Sequence, residues 1–440
     1  MRQEPNFKAF EDWLDVGPAR RWPQFLEKKR QLTAEQQTIV RKNAELLLNK
    51  EAWSAHVKEF EEQLALIKDE KERSKKRAEF EIRFDRHSFL YGKANFLSLH
   101  FPCSVSFRST KFGGGGVCFD GATFGEGRVS FAEATFGDGH VSFSGATFGK
   151  GLVTFSCATF GDGNVWFNGA TFGDGVVWFQ NIKLAETRIS FEDIDVAGNL
   201  FFRETTFRKE ANFQRASVKG TADFSGNTFH KVPDFGDTIF ARPPEVAGME
   251  VPPPQMKGNK ALKIAKNKKD AAKYRQLKKM ALAANDHEKG GEFFAYEMRA
   301  KRGCEKGSIE WYELLINSFY CILSNFGQSY WRPLVCLGLS SCGFFLYYAI
   351  SLGQLFITDE RMTFAFWHSL RNTLPFVSSL FRFANKPKDF LLWYDRFFKD
   401  LAEQKELVET LVNASIIQNF IGLILLFLLL LGLRNKFRLK

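Results

Sequence analysis

Phenylalanine recurs through the middle of the chain at alternating spacings of five and seven residues. Phe136, Phe143, Phe148, Phe155 and Phe160 follow this spacing, and alanine or valine stands two places before each. A period near five matches neither a helix, which repeats about every 3.6 residues, nor a flat strand, which repeats about every two. It is typical of a coil that turns a corner every five residues, with the phenylalanine and the residue two places before it pointing inward.

The same register extends from Leu90 to Phe240, and in its later half the spacing tightens to five and six. Phenylalanine supplies 49 of the 440 residues, whereas the 35 glycines are an ordinary number. This bias indicates one repeated core position rather than low complexity.

The pairs Ala134/Phe136, Ala146/Phe148 and Ala158/Phe160 make this segment resemble the pentapeptide-repeat family. The resemblance implies a right-handed quadrilateral β-helix over residues 88–242, which is a scaffold rather than a chemistry. The chain departs from the family where "GDGH", "GKGL" and "GDGN" add two residues at alternate corners. With four faces per coil the repeat becomes 24 residues, which predicts stacking of Phe119, Phe143 and Phe167. It also predicts a charge ladder of Glu126, Lys150 and Asp174, and a rod of about seven coils, roughly 30 to 35 Å long.

The amino-terminal segment, residues 1–87, is expected to be helical. Val57, Phe60, Leu64 and Ile67 follow a three, four, three spacing that is typical of a short coiled-coil seam. Two uses of this seam fit the sequence: it pairs subunits, or it covers the open end of the β-helix.

The remaining segments complete a multidomain membrane protein. In order they are a Pro-rich linker (243–258), a basic helical region (259–307) with two helices broken near Gly290 and Gly291, an interfacial helix (308–331) and a two-span membrane domain (332–440).

Two stretches without charge predict transmembrane helices at 333–357 and 411–433, since about 20 apolar residues span the hydrocarbon core. Basic residues precede the first and follow the second, which predicts a multi-pass protein of the bacterial inner membrane with both termini in the cytoplasm. Eight basic residues in the intervening loop weaken this orientation without reversing it.

Between the spans, residues 364–381 are apolar and aromatic but too short to cross the bilayer, which predicts a re-entrant or interfacial helix. The layout resembles the two-transmembrane ion-channel class, although "LPFVSS" stands where a potassium channel has TVGYG. Potassium selectivity through ordered carbonyls is therefore not predicted. The candidate pore-lining residues are Ser369, Asn372, Thr373, Pro375, Phe376, Gln418 and Asn419. Hydrogen bonds between helices are the alternative role for these polar groups.

Two basic clusters are candidate ligand-binding sites. The first comprises Lys268, Lys269, Lys273, Arg275, Lys278 and Lys279, and the second comprises Arg20, Arg21, Lys28, Lys29 and Arg30 with Trp22. Anionic lipid, a phosphate-rich ligand such as a nucleotide or single-stranded nucleic acid, and a merely solvated face are the three interpretations.

No catalytic constellation and no metal or cofactor motif occurs, so a non-enzyme without a cofactor is expected. The function predicted is a homo-oligomeric channel, a homotetramer by analogy, gated by its cytoplasmic part. A bacterial chain of this design would suit a stress or anti-phage effector that depolarises the membrane. The alternative is a membrane-anchored β-helix that recruits protein partners and has no pore.

Overall fold

The computed structural model describes residues 34, 38, 50–80, 82–89, 93–258, 264–267, 269–302, 311–352, 360–374 and 405–437. The chain divides into two compact units. The first contains Met1–Pro253 and Ala272–Gly290, and the second contains Pro254–Ala271 and Gly291–Lys440.

Two helices open the described part of the first unit: α1 (Lys50–Leu66) and α2 (Glu70–Glu79), the latter capped by the Asp69 carboxylate, which accepts a hydrogen bond from Lys71 N. Helix α1 covers the first coil of the solenoid that follows. Its Trp53 is 1% exposed, donates from Nε1 to the His100 carbonyl oxygen at 3.0 Å and lies 5.5 Å from the Phe101 ring. Phe60 and Leu64 pack with Cys103. The apolar seam of α1 is therefore buried on the end of the solenoid, as the capping alternative expects.

The solenoid is built from short strands. Those of its first part are β1 (Ile82–Arg83), β2 (Ser88–Phe89), β3 (Ala94–Asn95), β4 (His100–Phe101), β5 (Val105–Ser106), β6 (Lys111–Phe112), β7 (Val117–Cys118), β8 (Thr123–Phe124), β9 (Val129–Ser130), β10 (Thr135–Phe136), β11 (Val141–Ser142), β12 (Thr147–Phe148), β13 (Val153–Thr154) and β14 (Thr159–Phe160). Those of its second part are β15 (Val165–Trp166), β16 (Thr171–Phe172), β17 (Val176–Gln180), β18 (Lys183–Leu184), β19 (Ile189–Ser190), β20 (Asp195–Val196), β21 (Asn199–Arg203), β22 (Thr206–Phe207), β23 (Ala211–Asn212), β24 (Ser217–Val218), β25 (Ala222–Asp223), β26 (Thr228–Phe229) and β27 (Ile239–Phe240).

These strands form parallel stacks with four strands in each turn. The first stack runs β1-β5-β9-β13-β17-β21-β25, and the other solenoid stacks repeat the same step of four strands, except that β27 follows β24. The solenoid has about six turns, close to the seven predicted. Val129 pairs with Val153, 24 positions on, whereas Ile189 pairs with Ala211, 22 positions on. The shorter turn agrees with the tighter spacing in the later half of the repeat.

Stacked phenylalanine rings fill the interior. Phe143 is 0% exposed, and its ring lies parallel to those of Phe119 at 4.8 Å and Phe167 at 4.9 Å, which confirms the predicted column. The rings of Phe131 and Phe155 meet it edge-on. Offset columns that alternate stacked and edge-to-face contacts suit the quadrupoles of the rings. Of the predicted charge ladder, Lys150 Nζ lies 3.9 Å from Glu126 Oε1, an exposed pair that contributes little to stability.

Glycine at the longer corners lets successive coils touch through their backbones. A Cβ on Gly151 would lie deep inside van der Waals contact with the carbonyl oxygen of Gly127, and Gly175 and Gly198 continue the same column. Gly169 serves a different corner: its φ is +66°, and a Cβ there would meet no atom within 4 Å. The repeat therefore uses glycine for two separate physical reasons.

The solenoid continues beyond residue 242, into the segment predicted as a linker. Glu245 and Glu250 form bridges to Asp223 and Thr228, and Val246 and Met249 are 0% exposed. Helix α3 (Asp270–Ala283) lies against this end. Its Tyr274 hydroxyl donates to the Pro252 carbonyl oxygen at 2.6 Å.

The predicted break near Gly290 and Gly291 is wrong in position. Helix α3 ends at Ala283 and helix α4 (His287–Lys301) contains both glycines. The break falls at Asn285, whose φ is +60°, and the Asp286 carboxylate caps α4 by accepting from Lys289 N at 2.9 Å. A Cβ on Gly290 would lie 2.8 Å from Leu282, so this glycine permits close packing rather than a turn.

The described part of the second unit contains a short antiparallel pair, β28 (Met256–Lys257) and β29 (Ile264–Ala265), and four helices after α4. They are α5 (Trp311–Ser324), α6 (Trp331–Ser351), α7 (Glu360–Thr373) and α8 (Lys405–Phe437). Helix α7 ends just before Pro375, whose ring disfavours helical backbone at the residue that precedes it. The described part of the predicted interfacial segment forms α5, which exposes Ile316, Phe319 and Ile322 on one side.

Helices α6 and α8 are long and apolar enough to cross a membrane. Only 17% of the most apolar window of α6 and 28% of that of α8 are buried inside the unit. Many of their large apolar side chains face outward, whereas Leu337, Tyr348 and Leu411 are buried. The core helix of a soluble protein would show the opposite pattern.

Candidate functional site

The C-terminal helices α6, α7 and α8 pack against one another around a polar cluster. An apolar group lies on one side of this cluster and includes Tyr348, Phe364 and Leu411. Helix α8 approaches the end of α7 closely, because a Cβ on Gly422 would lie 2.7 Å from the carbonyl oxygen of Thr373.

Gln418 of α8 is the centre of the cluster and is 0% exposed. Its Nε2 donates to Thr373 Oγ1 at 2.7 Å and to the Ser369 carbonyl oxygen at 2.8 Å, both in α7. Its Oε1 accepts from the Tyr348 hydroxyl of α6 at 2.8 Å. One amide therefore joins all three helices.

A second set of contacts lies one turn away. His368 Nε2 and Ser415 Oγ are 2.7 Å apart, and Ser369 Oγ donates to the Ser341 carbonyl oxygen at 2.6 Å. Ser415 Oγ also donates to the Leu411 carbonyl oxygen of its own helix at 2.6 Å. This bond is common for serine in apolar helices and occupies the hydroxyl proton that a nucleophile would surrender to a base.

The Asn372 amide nitrogen is the exception in this cluster. The residue is 8% exposed, and its Nδ2 is buried without a hydrogen-bond partner among the described residues. An unsatisfied buried donor is costly. This atom is therefore the point of the cluster where a water molecule or another polar group is most favoured.

The structure places the predicted pore residues in two settings. Ser369, Thr373 and Gln418 are buried together and bonded to one another, and Asn372 is buried beside them. Asn419 is exposed, and its Nδ2 donates to the Ser415 carbonyl oxygen at 2.9 Å. Pro375 and Phe376 lie outside the described residues.

Three members of the cluster were not among the residues predicted from the sequence: Tyr348, His368 and Ser415. A usable signal did exist, because His368, Ser369, Asn372 and Thr373 recur at helical spacing and so share one side of α7.

Replacing Gln418 with leucine tests whether the cluster holds α7 in place. The substitution removes the bonds to Ser369, Thr373 and Tyr348, and hydrogen bonds between membrane helices contribute about 0.6 kcal/mol each on average. We therefore expect a loss of stability of about 2 kcal/mol, measured by thermal unfolding of the full chain in detergent. Asn419→Leu is the matched control and should change the midpoint little. An equal loss in both variants would contradict a joining role for Gln418.

The basic clusters are only partly described. In the first cluster, Lys269, Arg275 and Lys279 are exposed, whereas Lys273 Nζ lies 3.6 Å from Asp234 Oδ2 of the solenoid. Lys268 and the whole second cluster, Arg20, Arg21, Trp22, Lys28, Lys29 and Arg30, lie outside the described residues. Arg275 and Lys279 are four residues apart and therefore share one face of α3, Lys278 is half-buried, and Lys273 is turned to the solenoid.

A tight corner joins α5 to α6. Asn325, Phe326 and Gly327 have φ values of 50°, 58° and 79°, a run of left-handed residues that costs energy at the two non-glycine positions. Arg299 of α4 donates to Asn325 Oδ1 at 2.6 Å, and Asn435 of α8 donates to the Gly327 carbonyl oxygen at 2.9 Å. The corner thus links α4 to the end of α8.

The first coils of the solenoid contain buried charged side chains. Asp85 accepts a hydrogen bond from Ser106 Oγ, and burial raises the pKa of its carboxyl to about 6. Arg108 is 2% exposed and donates to Glu133 Oε1 at 2.6 Å. These contacts connect neighbouring coils and are sufficiently explained as structural.

Comparison with protein-family models, with curated proteins and with solved structures gave no significant match. No group of three or more His, Cys, Asp or Glu side chains that could hold a metal ion occurs in the described part of the chain.

Proposed function

We propose that this protein is a homo-oligomeric membrane ion channel. The observation that carries the proposal is the arrangement of α6, α7 and α8. The short helix α7 packs against both long helices, α6 and α8, and the buried Gln418 amide of α8 forms hydrogen bonds with α6 and α7. A 14-residue helix extends about 21 Å, so α7 cannot cross the bilayer. We assign it as the re-entrant helix between the outer and inner spans.

The exposed surface of α6 and α8 supports placement in a bilayer. Leu339, Ile350, Phe420 and Phe427 are each at least 59% exposed, although all four are large and apolar. Water would make this surface unfavourable, whereas hydrocarbon accommodates it.

Asn419 is the residue that we assign to the pore lumen. Ser369, Thr373 and Gln418 are buried within one protomer, so we assign them to fixing α7. Asn419 lies next to this cluster but is exposed, and an amide on an apolar helix is more favourable against water than against lipid. The segment after Thr373, which includes Pro375 and Phe376, would complete the lining.

The cytoplasmic part supplies the gate in this proposal. We assign the solenoid to the right-handed quadrilateral type, which four strands per turn support. Both termini would lie in the cytoplasm of a bacterial cell, and a homotetramer is the expected assembly.

The corner at Asn325–Gly327 would transmit motion of α4 to α8 through Arg299 and Asn435. Exposed Arg275 and Lys279 would bind anionic lipid or a phosphate-rich regulator. Membrane depolarisation in stress or phage defence is the role that such a channel would serve.

Ion flux through liposomes tests the channel. We expect purified protein to release a trapped ion gradient, with Asn419→Lys favouring anions and Asn419→Glu favouring cations, because a ring of like charge repels its own sign. A shift in reversal potential of opposite sign in the two variants is the readout, and Asn419→Gln should leave it unchanged.

Absence of flux at every protein-to-lipid ratio would overturn the channel and favour the membrane-anchored scaffold. That alternative has one observation in its favour: the hydrogen bonds of Gln418 are all made within a single protomer. Flux with no change of ion preference in either charged variant would remove Asn419 from the lumen.

A further inference from the structure

An open groove runs between α6 and α8, with a volume of about 570 Å³. Its walls include Ser340, Gly343 and Tyr347 of α6 and Thr410, Asn413 and Ala414 of α8. It lies on the outer surface of this helix pair, apart from the polar cluster around Gln418.

Small residues, Gly343 and Ala414, stand among larger ones such as Phe344 and Ile417 in the lining of the groove. A Cβ placed on Gly343 would meet no atom within 4 Å, and Ala414 adds only a methyl group on the facing helix. Small residues on membrane helices let a neighbouring helix approach closely. The groove therefore has room for side chains of a packed helix.

The chemistry of the rim favours protein over lipid as the occupant. Asn413 is exposed inside the apolar stretch of α8, and the Ser340 hydroxyl in the same groove has no hydrogen-bond partner among the described residues. A lipid chain offers these groups no hydrogen bond, whereas another helix offers both packing and polar partners. Leaving an amide against hydrocarbon is costly.

Helix α8 also carries a ridge of large apolar side chains that is complementary to the groove. Val412, Ile416 and Phe420 are 40%, 62% and 66% exposed. Spaced four residues apart, they form one stripe on α8, to the other side of Asn413 from the groove. They also lie within about two turns of Asn413, which places ridge and groove at a similar depth.

We propose that the groove of one copy receives the α8 ridge of a second copy. This inference rests on the membrane placement made in the proposed function. Groove and ridge are separate strips that adjoin along α8, so the contact between copies is heterologous, and repeating it forms a ring where the rotation closes. Such a ring surrounds an axis, which a symmetric pair formed through one shared patch would not do.

Two glycines of α6 allow a matched test. Gly343→Phe fills the groove, whereas Gly338→Phe adds the same side chain to the same helix outside it, where a Cβ also meets nothing within 4 Å. We expect wild type and Gly338→Phe to share one oligomeric mass by native mass spectrometry in detergent. For Gly343→Phe we expect at least a tenfold loss of the oligomer in favour of the protomer. An unchanged oligomer in Gly343→Phe, or a wild type that is monomeric in both detergent and nanodiscs, would overturn the proposal.

Cross-linking provides a second measurement that does not depend on tolerating a bulky residue. Two differently tagged proteins without native cysteines are mixed, one with Gly343→Cys and the other with Phe420→Cys. We expect a mixed dimer joined by a short bifunctional reagent. Leu430→Cys is the control in place of Phe420→Cys, because it is also exposed but lies about 15 Å further along α8. Equal cross-linking of both would contradict the assigned interface.

Oligomer mass and ion flux are separate readouts, so the two proposals fail separately. If Gly343→Phe dissociates the oligomer but wild type shows no ion flux, the proposed interface stands and the proposed channel is wrong. If Gly343→Phe keeps both the oligomer and the ion flux, the proposed channel stands and the proposed interface is wrong.

Discussion

Replacing Gly151 with alanine is expected to destabilise the solenoid by about 3 kcal/mol or more, since overpacking against a rigid neighbour is among the costlier core changes. The new methyl group would meet the backbone of Gly127 in the adjacent coil. Backbone in a stacked coil cannot rotate aside as a side chain can. The coils would have to separate locally, breaking the hydrogen bonds on both sides of the corner.

Gly169→Ala is the matched control. It substitutes the same residue types in the same repeat, but a Cβ there has no atom within 4 Å. Its cost is limited to the left-handed φ, about 1 to 2 kcal/mol. Thermal unfolding of the full chain, followed by the far-ultraviolet circular dichroism of the strands, should rank wild type, Gly169→Ala and Gly151→Ala in that order. The reverse order of the two variants would show that corner stacking is not what selects glycine at position 151.

Replacing Phe143 with alanine is expected to cost about 3 to 5 kcal/mol, the usual range for losing a buried aromatic ring. Its ring lies beside five others, two stacked, two edge-on and one tilted. The stacked and edge-on neighbours each follow a strand directly, and their backbone N–H groups donate to the next coil, so the cavity cannot collapse. The same measurement of thermal unfolding reports the loss.

Phe240→Ala supplies the comparison, because Phe240 occupies the last strand of the solenoid. It is only half-buried, and its nearest aromatic neighbours are Phe224 at 6.1 Å and Phe235 at 6.4 Å. We expect Phe240→Ala to lower the free energy of unfolding by about 1 kcal/mol. In a repeat protein each coil contacts only its neighbours, so a ring near the end of the solenoid has fewer contacts to lose. Similar losses at the two positions would mean that the terminal coil contributes as much as the interior.

The solenoid was predictable because its repeat imposes one physical requirement many times. The phenylalanine at the position of Phe143 must point inward in every coil. The 24-residue repeat fixes which ring lies above it, here that of Phe167. Its extension to Met249 was not predictable in the same way. Prolines near residue 244 suggested a linker, but burial of Val246 and Met249 in the last coil outweighs that local preference.

The two long apolar helices were predictable as elements but not in their contacts. Absence of charge located α6 and α8, since length and apolarity alone decide that property. Whether Gln418 faces a lumen or another helix depends on how α7 packs, which no local pattern encodes. Asn285 and the corner at Phe326 were missed for a related reason, because left-handed backbone at a non-glycine residue is imposed by tertiary packing.

The covered ends of the solenoid limit how far it can grow. An open parallel coil exposes a row of unpaired amides and carbonyls, and another chain can extend it as fibrils extend. Here Trp53 and its helix close one end, and Tyr274 lies against the other. The rod is therefore a unit of fixed length, and crowding many copies together should yield discrete particles rather than filaments.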